Sequence, residues 1–330
     1  MSEDHSIEKK KLLVLLGPTA IGKTNISLNL AKQYHCEIIS ADSMQIYRHM
    51  NIGTAKASSD ELADIPHHLI DICEPDQSFS VSDYQQLATQ AIDDIHNRGK
   101  LPFIVGGTGL YIQSVCYEYE FTEGGADEAF RLEQRQYAEL YGAEALLEKL
   151  RLVDPETAQR LHSNDQRRVI RALEVIHLTG ITMSEQLRLQ KRSSPYQLCL
   201  IGLNMDRQLL YARIEQRIDL MLEQGLVEEV RQLMNRGFTE SMTSMQGLGY
   251  KEMVTYLQGK LSYDEAVYLL KRDTRHYAKR QLSWFRRMKD INWIDLSDST
   301  KNSENLNIIH DIIAGKFMIN NEYTWIQRES

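Results

Sequence analysis

The chain has 330 residues, 42% of them apolar and 25% charged, an ordinary globular composition that excludes a fibrous or intrinsically disordered chain. That length exceeds the size at which one hydrophobic core keeps growing, so one large domain with an inserted subdomain, or two domains, is expected. A net charge of -8 argues against binding polyanions through a generally basic surface, so any nucleic-acid contact has to come from a local cluster of Lys and Arg.

The first residues, MSEDHSIEKKK, are mixed in charge and lead into a short apolar run. Nowhere are there about 18 consecutive apolar residues, so neither a signal peptide nor a membrane span is expected. Cys36, Cys73, Cys116 and Cys199 are scattered without a CxxC pair, which suggests neither structural zinc nor a disulfide framework and fits a reducing cytoplasm.

The first element is a buried strand over residues 11–16. Directly after it, Gly17-Pro18-Thr19-Ala20-Ile21-Gly22-Lys23-Thr24 matches G-x-x-x-x-G-K-[ST], and a helical pattern follows over residues 25–34. Glycines let successive N–H groups turn inward, the helix dipole points at an anion, Lys23 reaches terminal phosphates and Thr24 can ligate Mg²⁺. Such a loop binds a diphosphate or triphosphate but does not say whose.

A second strand, residues 37–40, runs into Asp42-Ser43-Met44-Gln45, putting a carboxylate at a strand's C-terminal end, where open α/β sheets hold ligands. From position alone Asp42 is a general base, a magnesium holder or a turn cap. His67, His68 and Asp71 have no metal-site spacing, and capping or packing is the better reading. Ser80 opens a helix that closes at Gly99, and strand 101–105 then delivers Gly106-Gly107-Thr108-Gly109 to the same sheet edge.

From about residue 121 to 194 the strand signal stops and helices replace it. Asp154-Pro155 reads as N-cap and N1, Asn164 or Asp165 as the next cap, Gly180 as a stop, and Thr182-x-x-Glu185 as a capping box. Strand 197–203, a helix capped by Asp206 with apolar Leu210, Ile214, Ile218 and Leu222, and strand 291–295 complete an α/β chain with a parallel sheet. The expected organisation is a P-loop NTPase-like core over 1–120 and 196–330, interrupted by an all-helical insertion over 121–195.

Arg213 and Arg217 lie one helical turn apart and can face one anion, Arg217 being the choice for a diphosphate contact; pairing with Glu215 or Asp219 is the competing reading. On a wheel for residues 264–289, Lys271, Arg272, Arg275, Lys279, Arg280, Arg286, Arg287 and Lys289 share one half. Val267, Leu270, Tyr277, Trp284, Phe285 and Met288 share the other. Only Asp273 is an acidic neighbour there, so in an acidic chain this face reads as an RNA surface, with Arg167, Arg168 and Arg171 as a second cluster on the insertion.

GPTAIGKT, DSMQIYR from Asp42, NIGTAK from Asn51, PHHLID from Pro66, GGTGLY from Gly106, NDQRRVIRALEV from Asn164, QGLGYKE from Gln246 and YAKRQLSWFR from Tyr277 occur in this order. That set closely resembles the bacterial-type tRNA dimethylallyltransferases, also called tRNA isopentenyltransferases, from Leu12 to about Trp293. The resemblance implies transfer of a dimethylallyl group from its diphosphate to N6 of adenine 37, beside the anticodon. It departs from the family at Ile21, where Ser is usual, at Ile46 for Val and at Ser283 for Thr.

On this resemblance Asp42 is the base and Thr108 contacts the tRNA near the reacting nucleotide. Lys23 and Thr19 join Asp42 as catalytic candidates, Gly17 to Thr24 with Arg217 hold the diphosphate, and Thr24 carries Mg²⁺. The tRNA contacts are expected at Asp42, Ser43, Met44, Gln45, Thr108, Arg167, Arg168, Val169, Ile170, Arg171, Gln246, Gly247, Gly249, Tyr250 and Lys251, gripping the anticodon loop between core and insertion. The chain is expected to act as a monomer. Prenylation of a free adenine nucleotide is an alternative disfavoured by the arginine-bearing insertion, and tRNA binding without catalysis one disfavoured by the intact Gly22, Lys23, Thr24 and Asp42. Small-molecule phosphorylation, which the phosphate loop alone permits, is told apart by phosphate transfer from ATP.

Overall fold

A computed structural model describes residues 9–117, 119–121, 125–190 and 193–318. The chain divides into two compact units, Met1–Cys116 with Ser194–Ser330, and Tyr117–Ser193. The first unit begins with β1 (Lys11–Leu16), α1 (Lys23–Gln33), β2 (Cys36–Ala41), α2 (Ser59–Asp64), β3 (His67–His68), α3 (Val81–Asn97), β4 (Leu101–Gly106) and α4 (Gly109–Cys116). The second holds α5 (Glu128–Tyr141), α6 (Ala143–Val153), α7 (Pro155–Arg160), α8 (Gln166–Thr179) and α9 (Met183–Leu189). The first then resumes with β5 (Gln197–Asn204), α10 (Arg207–Glu223), α11 (Leu226–Asn235), α12 (Tyr250–Leu257), α13 (Tyr263–Phe285), β6 (Ile291–Asp295) and α14 (Asn302–Phe317).

The strands form one parallel sheet in the order β3-β2-β4-β1-β5-β6. Leu12 to Leu16 are fully buried, as a central parallel strand covered on both faces requires; each such side chain contributes about 1.5–3 kcal/mol. The edge strand β3 is two residues long and has no apolar run to betray it. Its His68 Nε2 lies 2.8 Å from the buried Glu37 carboxylate, and His67 Nδ1 lies 2.7 Å from the Ile65 carbonyl. These histidines are therefore packing and hydrogen-bonding groups.

Ser80 caps α3 with a capping box, and Asp206 caps α10 through the amides of Gln208 and Leu209. In the second unit Asp154, 1% exposed, caps α7 through the Thr157 amide and accepts from the Ser184 amide at 3.0 Å. Thr182 accepts from Glu185 N–H, giving the N-cap half of the expected box. Gly180 ends α8 at φ 71°. A small core of Leu146, Leu147, Leu150, Val169, Ile170 and Leu173 holds this unit together.

Helix α13 stops at Phe285, short of the expected residue 289, and its basic half is not uniformly free. Lys271 pairs with Asp219 at 2.6 Å and Arg275 with Glu215 at 2.6 Å, both acids lying on α10, while Arg272 pairs with Asp273. The wheel counted acids on one helix and could not see those presented by its neighbour. Lys279, Arg280, Arg286, Arg287 and Lys289 remain exposed.

The NIGTAK segment is organised by Glu229 on α11. Its carboxylate accepts from the amides of Asn51, Ile52 and Gly53 at 2.8–3.2 Å and from the Tyr250 hydroxyl at 2.7 Å. Gln45 in turn donates to the carbonyls of Thr54 and Ala55, tying this strap to the loop that follows β2. Glu229→Ala leaves those donors without their acceptor and is expected to cost on the order of 3 kcal/mol, read as a lower urea midpoint at unchanged slope.

Candidate active site

Gly106 at the end of β4 is in register with Leu16 of β1 on one side and Ala41 of β2 on the other. The residues that follow, Gly17, Asp42 and Gly107, therefore leave three adjacent strands at one level. They open into a cleft of about 560 Å³ lined by the 19–24 loop, Asp42 to Gln45, Gly107, Arg213, Arg217, Gln246 to Gly249, Lys251, Tyr277, Arg280 and Gln281.

The loop turns through two left-handed residues, Ala20 at φ 64° and Gly22 at φ 101°; the second is glycine, which adopts such angles without a Cβ penalty. Helix α1 starts at Lys23 with no acid in its first turn, leaving the positive end of its dipole for an anion. Ile21 does more than offer an amide: its side chain is 1% exposed within the main core, and its carbonyl accepts from Arg213 Nη1 at 3.3 Å. An apolar residue at that position thus anchors the loop from beneath.

Lys23 Nζ donates to the carbonyls of Gly17 and Pro18 at 2.9 and 2.8 Å. Burial, then the neighbouring Arg217 charge, pull its ammonium down to about 7, with Asp42 opposing. Arg217 is itself pushed down by burial and raised by Asp42. Its competing partners are taken, since Glu215 and Asp219 bind Arg275 and Lys271, and Arg217 makes no ion pair among the described residues. Lys23, Arg213, Arg217, Lys251 and Arg280 face the cleft against the one carboxylate of Asp42, in a chain whose net charge is -8.

One oxygen of Asp42 accepts from the Met44 amide at 2.8 Å, so the turn-cap reading is realised, but by Oδ1 alone; Oδ2 is unbonded among the described residues. Thr108 Oγ1 accepts from the Ser43 amide at 3.1 Å, fastening the loop after β4 to the loop after β2. The Tyr277 phenol is raised by burial and by Asp42, with Thr108 and Gln281 opposing; the wheel had assigned Tyr277 only to an apolar half.

Several expected contacts are bonded within the protein itself. The Thr19 amide, counted in the phosphate cradle, donates to Gln281 Oε1 at 2.9 Å. Gln45 spends its amide on the 54–55 strap and on Ser40. Tyr250 is fully buried against Glu229, because its ring fills the core behind the strap, so its side chain does not meet RNA. Lys251, which lines the cleft, also pairs with Asp273 at 3.2 Å, and Gln246 is exposed.

In the second unit Val169 and Ile170 are 0% and 6% exposed; their helix turns them into the core, and they are corrected from RNA contacts to packing residues. Arg171 bonds the buried Glu174 at 2.7 Å alongside Arg131, and Arg168 pairs with Asp165. Arg167 is exposed and makes no ion pair among the described residues.

For magnesium, the Thr24 hydroxyl and the Asp42 carboxylate line one cleft, and hard oxygen donors of that kind suit Mg²⁺ held jointly with phosphate and water. Among the described residues no group of three His, Cys, Asp or Glu could hold a metal alone. The donor set therefore fits an ion that binds together with a diphosphate.

The sequence model for IPP transferase matches residues 45–288. The chain belongs to the IPP transferase family. It is 51% identical over 312 residues to a tRNA dimethylallyltransferase of Bacillus velezensis, covering 94% of this chain and 99% of that one, and 52% identical over 308 residues to one of Bacillus pumilus, covering 93% and 96%. Among solved structures it resembles the full-length tRNA isopentenylpyrophosphate transferase of Bacillus halodurans, with TM-score 0.72, 47% identity and 94% and 97% coverage. A eukaryotic dimethylallyltransferase acting on tRNA superposes with TM-score 0.79 at 30% identity, over 94% of this chain and 79% of that one. The P-loop-like core with its parallel sheet is thus the core of an IPP transferase.

An alkyl diphosphate held by this loop favours charged Lys23 and raises its pKa. Affinity should therefore fall as pH rises through about 7, approaching tenfold per unit, and binding at about pH 8 should take up close to one proton. Calorimetry in buffers of different ionisation enthalpy reads that uptake, and Lys23→Arg, which stays charged, removes it.

Proposed function

We propose that this IPP transferase moves a dimethylallyl group from dimethylallyl diphosphate to N6 of adenine 37 in tRNA, beside the anticodon, releasing diphosphate. The observation that carries the reading is the levelled register at Gly106, which brings a cationic phosphate loop, a half-free carboxylate and the Thr108 loop into one cleft. Relatives about 50% identical over nearly their whole length bear the name of this activity. No described helix is long and apolar enough to cross a membrane, and the expected working form is a cytoplasmic monomer.

In the reaction a bond forms between N6 and the allylic carbon as that carbon's bond to the diphosphate oxygen breaks. An exocyclic amine is a weak nucleophile, so the residues must hold it close, remove its proton and receive the charge of the leaving group. Asp42 accepts the N6 proton on Oδ2, the oxygen not spent on Met44. Lys23, Arg217 and the amides of the 20–24 segment surround the departing diphosphate, where charge-assisted bonds strengthen as negative charge builds. Mg²⁺ held by Thr24, with Asp42 near, would neutralise part of that charge.

Adenine 37 must leave its stack to reach such a cleft. Trp284, 37% exposed, with Arg280, Arg286 and Arg287 around it, supplies an aromatic face and phosphate-pairing cations at the end of α13. Gly247 and Gly249 contribute a close backbone wall, since a Cβ on Gly247 would come 2.9 Å from the Met44 sulfur. Arg167 on the second unit is a further cation for the RNA backbone.

Incubation with dimethylallyl diphosphate, Mg²⁺ and unmodified tRNA bearing adenines at positions 36 and 37, followed by nucleoside mass measurement, should show one C5H8 unit added to adenosine 37. Asp42→Ala should abolish the gain. Addition to free AMP but not to tRNA would refute the acceptor, and transfer of phosphate from ATP in its place would refute the reaction. Arg217→Ala should weaken diphosphate affinity by about tenfold or more; unchanged affinity would remove Arg217 from the site.

A further inference from the structure

Gln281 on α13 is 6% exposed; both ends of its amide bond backbone in two different loops, and the amide also reaches the Tyr277 phenol one helical turn away. Nε2 donates to the Gly107 carbonyl at 2.8 Å, and Oε1 accepts from the Thr19 amide at 2.9 Å. The partners dictate the orientation, because the flipped amide would set donor against donor and acceptor against acceptor. A Cβ on Gly107 would lie 2.2 Å from Gln281 Nε2, so glycine there is what lets the side chain reach the backbone.

The bridge continues on both sides. Thr19 begins the turn that leads to Lys23, whereas Gly107 precedes Thr108, whose hydroxyl holds the Ser43 amide next to Asp42. One buried side chain therefore joins the loop that grips the leaving group to the loop that fastens the base.

We propose that Gln281 is a positioning residue that sets the separation of the diphosphate loop and the Asp42–Thr108 loops, and so the approach of the amine to the allylic carbon. This rests on the dimethylallyl-transfer reading. Two loops on separate strands can each shift by a fraction of an ångström, whereas attack needs reacting atoms about 3–3.5 Å apart. A buried amide with both groups bonded holds that spacing, because releasing either bond strands a buried polar group.

Gln281→Leu keeps the volume and removes both bonds. Its single-turnover rate on tRNA is expected to fall about 10–100-fold, while inorganic diphosphate and tRNA, each measured alone, bind within about threefold of wild type. Gly107→Ala drives the same side chain away and should produce the same split. The double variant should be no slower than the worse single one, since both break one bridge.

A single-turnover rate within threefold of wild type in Gln281→Leu overturns the proposal. So does an equal loss of diphosphate affinity, or a rate loss that tracks a lowered melting temperature, either of which makes the residue a ligand or a mere core group. Gln281→Glu, which keeps the Thr19 bond but sets a carboxylate against the Gly107 carbonyl, serves if the leucine variant does not fold, and the same criteria apply. Wild-type transfer is the reference: its absence defeats the reaction reading and the bridge with it, whereas a wild-type-like variant defeats the bridge alone.

Discussion

The structure depends on one alignment, the common level at which β1, β2 and β4 end. Parallel strands cannot join through a tight hairpin, so each returns through a separate crossover and each loop at the C-terminal edge comes from a distant stretch of chain. Gly17, Asp42 and Gly107 become neighbours only because Gly106 is in register with Leu16 and with Ala41. A slip of one residue in any of the three strands would move its loop along the edge and turn its side chains to the opposite face of the sheet.

On that edge the electrostatics oppose the bulk of the molecule. An acidic chain concentrates Lys23, Arg213, Arg217, Lys251 and Arg280 around one cleft. Burial holds Lys23 near a pKa of about 7, which makes the cleft responsive to an anion: a diphosphate restores the charge that desolvation disfavours. The acids that could quench Arg217 are diverted to α13 by Lys271 and Arg275. The same ion pairs pack α10 and α13 together and leave a cation in the cleft without an ion pair among the described residues.

The basic residues thus separate into two kinds that look alike in the sequence. Arg131 and Arg171 are bonded to the buried Glu174 and stabilise the helical unit, and Arg98 and Lys100 do the same for Glu37 at the start of β2. Lys279, Arg280, Arg286, Arg287 and Arg167 are exposed and free to meet phosphate. For Lys271 and Arg275 the deciding acids lie on another helix, α10, so a helix wheel of α13 alone overstated its unpaired basic surface.

Local chemistry made much of this molecule legible in the sequence. The strand over 11–16 and the caps at Ser80, Asp154 and Asp206 rest on an apolar run and on side-chain-to-backbone bonds between near neighbours, whereas 291–295, read as a buried strand, is an edge strand with Asn292, Trp293 and Asp295 exposed. The phosphate loop is equally local, since its glycines, lysine and helix N-terminus are consecutive. Long-range partnerships were not legible: the burial of Val169, Ile170 and Tyr250, the Glu229 carboxylate that gathers the 51–53 amides, and the Gln281 bridge between Thr19 and Gly107. A sequence specifies backbone preference over a few residues, but which buried polar group meets which partner is a matter of packing, and only the folded chain decides it.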